Sequence, residues 1–214
     1  MNDEQIQELV NKYSPEYSFP GGFEHRVDKD SSLITYALVR EWKPTNILEV
    51  GTSHGGISCV LMSALIKNKK KFRYTGSELL DPEREETRLN VKSHCGVEPK
   101  LIGDITKNLK KIPDNIDLFF LDNDHDLKTT EWIVENIFPK IKKGGIMMMH
   151  DWAVVDEGGR WIGKADQGTG GWPETQKLMD MHKEGTFPFE KVYFAYRVPI
   201  WYAGGAEYGV FRKK

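Results

Sequence analysis

Asn46-Ile-Leu-Glu-Val-Gly-Thr-Ser-His-Gly-Gly-Ile-Ser58 is the stretch from which the fold of this chain is read. Its short apolar run, Ile47, Leu48 and Val50, reads as a buried strand that carries Glu49 into a glycine-rich turn. Gly51 lets the backbone turn where a side chain would clash, and Gly55 and Gly56 allow a ligand to sit against the main chain. Cys59, Val60, Leu61, Leu65 and Ile66 follow at helical spacing, so the free N–H groups of a helix start face that ligand. This is the pattern of a nucleotide-type site. A dinucleotide site would take a pyrophosphate on those donors and carry G-x-G-x-x-G, whereas the spacing here is E-x-G-x-x-x-G.

That spacing resembles motif I of the class I S-adenosylmethionine-dependent methyltransferases, and four further landmarks follow in the order that family has. Arg73-Tyr-Thr-Gly-Ser-Glu78 reads as a second strand whose terminal carboxylate can accept from both ribose hydroxyls. Lys100-Leu-Ile-Gly-Asp104 resembles the third strand, where the terminal acid approaches the adenine amino group in this superfamily. Ile116–His125 resembles the fourth and Gly144–Asp151 the fifth. The resemblance covers about half the chain. It implies a Rossmann-like α/β fold, a mostly parallel seven-stranded sheet with an antiparallel last strand and helices on both faces. It also implies that Glu49, Gly51, Thr52, Ser53, Gly55, Glu78, Asp104 and Asp122 contact S-adenosylmethionine.

Composition agrees with this reading. The 214 residues suit a single α/β domain, with 1–43 as a helical cap and loop, 44–151 as the β/α core and 152–214 as a substrate loop and final strands. Lys and Arg total 30 against 32 Asp and Glu, a formal charge of −2, so nothing electrostatic argues for a nucleic-acid or membrane surface. The cluster Lys67-Asn-Lys-Lys-Lys71 falls at a predicted helix end, where cations suit the helix dipole. Two cysteines without metal spacing, a polar start at Met1 and no apolar run of about 20 residues set the expectation of a cytoplasmic protein with unpaired thiols.

Along the chain, Asp3–Lys12 reads as an amphipathic helix, and Asp30 or Ser31 can cap a second whose apolar positions are Leu33, Ile34, Ala37, Leu38 and Trp42. Strands and helices then alternate, which requires parallel pairing. Thr130–Ile141 reads as a helix with a buried stripe of Trp132, Ile133, Ile137 and Phe138, ended by Gly144-Gly145. Lys191–Tyr196 and Glu207–Arg212 read as two strands joined through Gly204-Gly205.

Asp122 ends the fourth predicted strand and His150-Asp151 the fifth, at the carboxyl ends where α/β sheets bind ligands. This arrangement resembles the cation-dependent O-methyltransferases of the catechol, sugar and macrolide type, which implies that Asp122 and Asp151 hold Mg²⁺. His150 departs from the pattern, since that position is usually acidic and imidazole is a poor ligand for a hard cation. Mg²⁺, Mn²⁺, another divalent ion and no metal therefore all stay open, and His150 either joins the ligands or supports them and the substrate. His125 stands where the related families place the base that removes the acceptor's proton, and a histidine with a pKa near ~6.5 can do so at neutral pH. The competing reading is that Asp122, Asp124, His125 and Asp126 merely cap the next helix, Asp124 or Asp126 above all.

Trp152, Trp161 and Trp172 lie in a glycine-rich stretch, 152–173, long for an ordinary connection. They either stack on a planar or sugar-ring acceptor or pin the loop to the body of the protein. The expected partner is a small molecule with a sugar or phenolic hydroxyl, with no nucleic acid or membrane, and a homo-oligomer is left open. The expected activity is S-adenosylmethionine-dependent O-methylation with divalent-cation assistance. Its alternatives are a metal-independent N- or O-methyltransferase using His125 and His150, and a non-catalytic cofactor-binding protein with regulatory or assembly work.

Overall fold

The computed structural model describes residues 1–20, 29–123, 126–150, 154–155, 161–162, 173–197 and 205–214. Seven strands form one sheet in the order β3-β2-β1-β4-β5-β9-β8. They are β1 (Asn46–Val50), β2 (Arg73–Ser77), β3 (Leu101–Ile102), β4 (Ile116–Leu121), β5 (Ile141–His150), β8 (Phe189–Arg197) and β9 (Gly205–Lys213). Two short strands between β5 and β8, β6 (Val154–Val155) and β7 (Trp161–Ile162), pair antiparallel apart from it. The sheet is mostly parallel, as in the β1–β2 and β2–β3 pairs, and its last strand, β9, runs antiparallel to both β5 and β8. This is the Rossmann-like architecture expected from the sequence, a seven-stranded sheet with helices around it.

The chain divides into two compact units, Met1–Leu118 and Phe119–Lys214. In the first, helix α1 (Asp3–Tyr13) starts at a capping box in which the Asn2 side chain accepts from the Gln5 amide and the Gln5 side chain accepts from the Asn2 amide. It is fastened to α2 (Lys29–Trp42) by Glu41, which takes Lys12 at 2.7 Å and the Tyr13 hydroxyl at 2.8 Å. Helix α2 begins before the expected cap, placing Asp30 and Ser31 inside it. Of the predicted stripe, Ala37 and Leu38 are buried while Leu33, Ile34 and Trp42 are half-buried, and the hidden face extends instead to Ser32, Thr35, Tyr36 and Val39. Thr35 can be buried because its hydroxyl donates to the Ser31 carbonyl one turn back, at 2.7 Å. Strand β1, helix α3 (Gly56–Lys67), β2, helix α4 (Asp81–Cys95) and β3 follow. Helix α3 ends beside the predicted basic cluster, at Lys67. At the lower end of the strands, Asp117 of β4 accepts from the Thr45 and Asn46 amides at 2.7 and 2.9 Å, registering β4 against the start of β1.

In the second unit, helix α5 (Leu127–Asn136) is shorter than expected and starts earlier, because Asp126 caps it by accepting from the Thr129 amide at 2.9 Å. Pro139, in the single 3₁₀ turn Phe138–Lys140, cannot continue an α-helix, so Gly144 and Gly145 lie inside β5 and do not end the helix. The Lys213 ammonium donates to the Phe138 and Ile141 carbonyls at 2.7 and 2.6 Å, closing that turn, and burial lowers its pKa. Helix α6 (Pro173–Lys183), which the sequence reading did not place, precedes a core of Phe138, Phe187, Phe189 and Phe211. Among the described residues, no helix is long and apolar enough to cross a membrane.

Candidate functional site

The turn after β1 is built from three left-handed residues in five: Gly51 (φ 84°), Ser53 (φ 46°) and Gly55 (φ 90°). Such backbone favours glycine at Gly51 and Gly55. The Gly51 and Thr52 amides both donate to the Ser77 carbonyl, at 3.0 and 3.2 Å, so the turn is stitched to the end of β2. Gly76 makes that contact feasible: a Cβ there would come within 2.7 Å of Leu101, 2.8 Å of Thr52 and 2.9 Å of the Tyr74 hydroxyl. Helix α3 then starts at Gly56, and its first-turn N–H groups have no intrahelical partners.

Glu78, one residue beyond β2, is 7% exposed. Its Oε2 accepts from the Ser53 amide at 2.7 Å and its Oε1 from the Leu80 amide at 3.2 Å, so a carboxylate and the glycine turn face one another. Next to it, Leu79 and Leu80 are large apolar residues left 57% and 52% exposed. A sequence reading passes over them, because two leucines after a strand look like core; their exposure beside a buried carboxylate marks a surface fit for a flat ligand. Asp104 follows β3 and caps a short turn, accepting from the Thr106 amide and hydroxyl at 2.9 and 2.7 Å, with Lys107 at 3.0 Å. Burial would raise its pKa, but the hydrogen bonds from Thr106 and Lys107 outweigh that and lower it.

Glu49 sits differently from its expected place against a ligand. It is 0% exposed, and its oxygens accept from Ser58, at 3.0 Å each, and from the Tyr74 hydroxyl at 2.5 Å. The carboxylate thus ties β1 to α3 and β2 and acts on the turn by positioning it. Burial first, and then the adjacent Glu49 charge, push the Tyr74 pKa well above the ordinary phenol value.

Helix α4 holds the turn from the other side, through residues that the sequence did not flag. The Thr87 hydroxyl donates to the Ser53 carbonyl at 2.5 Å and lies 3.3 Å from the Thr52 hydroxyl; a Cβ on Gly55 would come within 3.1 Å of the Thr87 backbone. Glu86 meets the His54 ring at 2.6 Å, and the Asn90 side chain donates to the His54 carbonyl at 2.8 Å.

In the second unit, Asp122 follows β4 and His150 ends β5. Their Oδ1 and Nδ1 atoms are 3.7 Å apart, with side chains 31% and 20% exposed. Bonds of about 2.1 Å would put neighbouring ligands of one cation roughly 3.0–3.4 Å apart, so this pair would have to close slightly to share an ion, and its mixed oxygen and nitrogen set suits a borderline ion better than Mg²⁺. Asp151, His125 and Asp124 lie outside the described residues, and so do Trp152 and Trp172. Trp161 is in β7, so the expected substrate loop contains a short antiparallel pair, Val155 opposite Trp161. Among the described residues no three His, Cys, Asp or Glu side chains cluster as a metal site. Asn123, beside Asp122, has both amide atoms buried without a hydrogen bond among the described residues.

Residues 48–152 match the methyltransferase-domain family. A search of curated proteins by sequence gives no match. Among solved structures, the chain is similar to the O-methyltransferase from Bacillus cereus in complex with SAH, at 17% identity and TM-score 0.68, over 100% of this chain and 92% of that one. It is similar also to the O-methyltransferase TomG from Streptomyces achromogenes, involved in tomaymycin synthesis and in complex with SAM, at 16% identity and TM-score 0.63 over 100% and 91%. The SAH-bound methyltransferase PaMTH1 from Podospora anserina matches at 17% identity and TM-score 0.62 over 100% and 89%. With residues 48–152 matching the methyltransferase-domain family, the chain has the fold of these O-methyltransferase structures.

Proposed function

We propose that this chain transfers a methyl group from S-adenosylmethionine to a hydroxyl oxygen of a small molecule, with a divalent cation assisting. The observation that supports this most is Glu78, held against the Ser53 amide by a 2.7 Å hydrogen bond inside a methyltransferase domain. A carboxylate offers about four acceptor positions. Ser53 and Leu80 use two of those at Glu78, which leaves capacity for a ribose diol. When bound, S-adenosylmethionine would supply an activated methyl group for in-line transfer to an aligned oxygen, with S-adenosylhomocysteine as the leaving group. Gly51, Thr52, Ser53 and Gly55 shape the turn that receives the donor, Leu79 and Leu80 flank its base, and Asp104 stands for the adenine amino group. Glu49 keeps the turn in place.

Asp122 and Asp151 would hold the cation, with His150 beside them; a cation bound there would acidify the acceptor hydroxyl and offset the charge that develops on its oxygen. His125 takes the acceptor proton. The buried amide of Asn123 supplies a donor and an acceptor for a polar acceptor molecule.

A second, metal-independent reading rests on the 3.7 Å approach of Asp122 to His150, since a carboxylate beside an imidazole orients it and stabilises its protonated form. In that reading His150 and His125 handle the proton alone. Calorimetry with S-adenosylhomocysteine, followed by transfer of labelled methyl groups into a pool of hydroxylated metabolites with and without chelator, tests these readings. Binding with cation-dependent O-methyl product is expected, and Asp122→Asn should keep cofactor binding while losing the cation response. Full turnover in excess chelator selects the histidine-only reading, binding without product in any pool selects a non-catalytic protein, and absence of binding refutes the proposal.

A further inference from the structure

The two cysteines of the chain are Cys59, in the first turn of α3, whose amide donates to the Gly55 carbonyl at 2.9 Å, and Cys95 at the end of α4; neither thiol takes part in the chemistry above. The Cys95 sulfur is 3.6 Å from the Cys59 carbonyl oxygen and 3.4 Å from the Ser63 hydroxyl, one turn further along α3. The Cys95 sulfur thus lies against the Cys59 residue itself. Their surroundings differ: Cys59 is fully buried, whereas Cys95 is half-buried. Cys95 immediately precedes Gly96, whose left-handed backbone (φ 73°) ends the helix with open space at its α-carbon. A small oxidant can therefore reach Cys95 and not Cys59.

We infer that Cys95 is a hydroperoxide-reactive site, and that Cys59 resolves its oxidised form into an intramolecular disulfide joining α3 to α4. The chemistry balances with hydrogen peroxide as the oxidant. The Cys95 sulfur, having released its proton, attacks one peroxide oxygen; the O–O bond breaks, and the departing hydroxide takes a proton to leave as water. The Cys59 sulfur then attacks the sulfenic sulfur of Cys95. The S–O bond breaks, and the leaving hydroxide takes the Cys59 proton as a second water. Two thiols and one peroxide thus become one disulfide and two waters.

The environment supports that division of labour. The neighbouring Cys59, opposed by partial burial and helped by Ser63, lowers the Cys95 pKa to about 7, and the neighbouring Cys95 together with burial raises that of Cys59. The more exposed sulfur is thus also the better nucleophile precursor.

The test uses the full chain, reduced and then freed of reductant, with stoichiometric hydrogen peroxide as the probe. Thiols counted in denaturant should fall from two to none, with the mass lower by two hydrogens, no covalent dimer on a non-reducing gel, and both thiols restored by dithiothreitol. Cys59→Ser should stop at a Cys95 sulfenic acid that a cyclic 1,3-diketone traps, and Cys95→Ser should leave Cys59 unmodified over the same exposure. Wild-type protein that keeps both thiols under exposure sufficient to oxidise its own denatured chain would overturn the inference. So would covalent dimers in place of the internal bridge, or Cys95→Ser protein whose remaining thiol reacts as fast as the wild type.

Discussion

Replacing Glu78 by alanine removes three kinds of interaction at once, and the structure allows their sizes to be separated. Two are internal: the carboxylate accepts from the Ser53 amide at 2.7 Å and from the Leu80 amide at 3.2 Å. The third is the proposed grip on two ribose hydroxyls. Hydrogen bonds to a charged group are worth about 1.5–3 kcal/mol each, so two lost ribose contacts amount to at least ~3 kcal/mol, or more than about 100-fold in affinity. Loosening of the turn adds to this, because Ser53 holds a left-handed backbone (φ 46°) partly through its bond to Glu78. Glu78→Gln refines the test. It retains the shape and can still accept from one amide, but its NH₂ would confront the other amide donor, so it should fall between wild type and alanine. Calorimetry with S-adenosylhomocysteine reads the affinities, and thermal unfolding without ligand reads the internal part. Alanine and glutamine variants that bind within about threefold of wild type would show that Glu78 fastens the turn and does not hold the ligand.

Gly76→Ala should destabilise the chain by about 1–3 kcal/mol, typical of overpacking, since its Cβ would press on Leu101, Thr52 and the Tyr74 hydroxyl at once; urea unfolding measures it, and an unchanged midpoint would refute the close packing. Tyr74→Phe removes a hydrogen bond to the buried Glu49 carboxylate and should cost about 1.5–3 kcal/mol near neutral pH. Its pH dependence has a definite sign: the folded phenol keeps its proton where the unfolded one ionises, so this residue's contribution is complete below a pH of about 10 and declines above it. The phenylalanine variant should accordingly lose stability less steeply in alkali, as followed by unfolding at several pH values. His125→Ala should lower turnover by roughly 10²–10⁴-fold with S-adenosylhomocysteine affinity nearly intact, and should abolish the acidic limb of the rate profile near pH ~6.5. Retention of that limb would reassign the proton to another group, His150 first.

The elements that declare themselves through periodicity were legible: the alternation of strand and helix, the glycine turn after β1 and the acid that follows β2 all stand where the pattern put them. Boundaries set by single residues were not. The end of α5 depends on Pro139, and Gly144-Gly145 serve a strand as easily as a helix terminus. The third strand contracts to Leu101–Ile102 because Asp104 turns back to cap its own Thr106. The place of Glu49 was hidden for another reason. An acid before a glycine turn looks the same whether it faces a ligand or the interior, and only the arrival of Tyr74 and Ser58 from other elements decides between them. Helix α4 gave no amphipathic signal, since Thr87 and Val91 are its only buried residues and two positions make no apolar stripe.

That sparse face predicts how α4 tolerates substitution. Its outer charges, Glu85, Arg88 and Lys92 with Glu98 beyond the helix, form exposed, solvent-screened pairs that contribute little, so most exchanges among polar residues there should pass unnoticed. Thr87 is the opposite case. Its hydroxyl has to reach the Ser53 carbonyl, and the space beside Gly55 admits nothing larger, so serine should be its one mild replacement. In a library saturating all fifteen positions of the helix, selected for cofactor binding, variation should spread over the outer face and collapse to two hydroxyl residues at position 87.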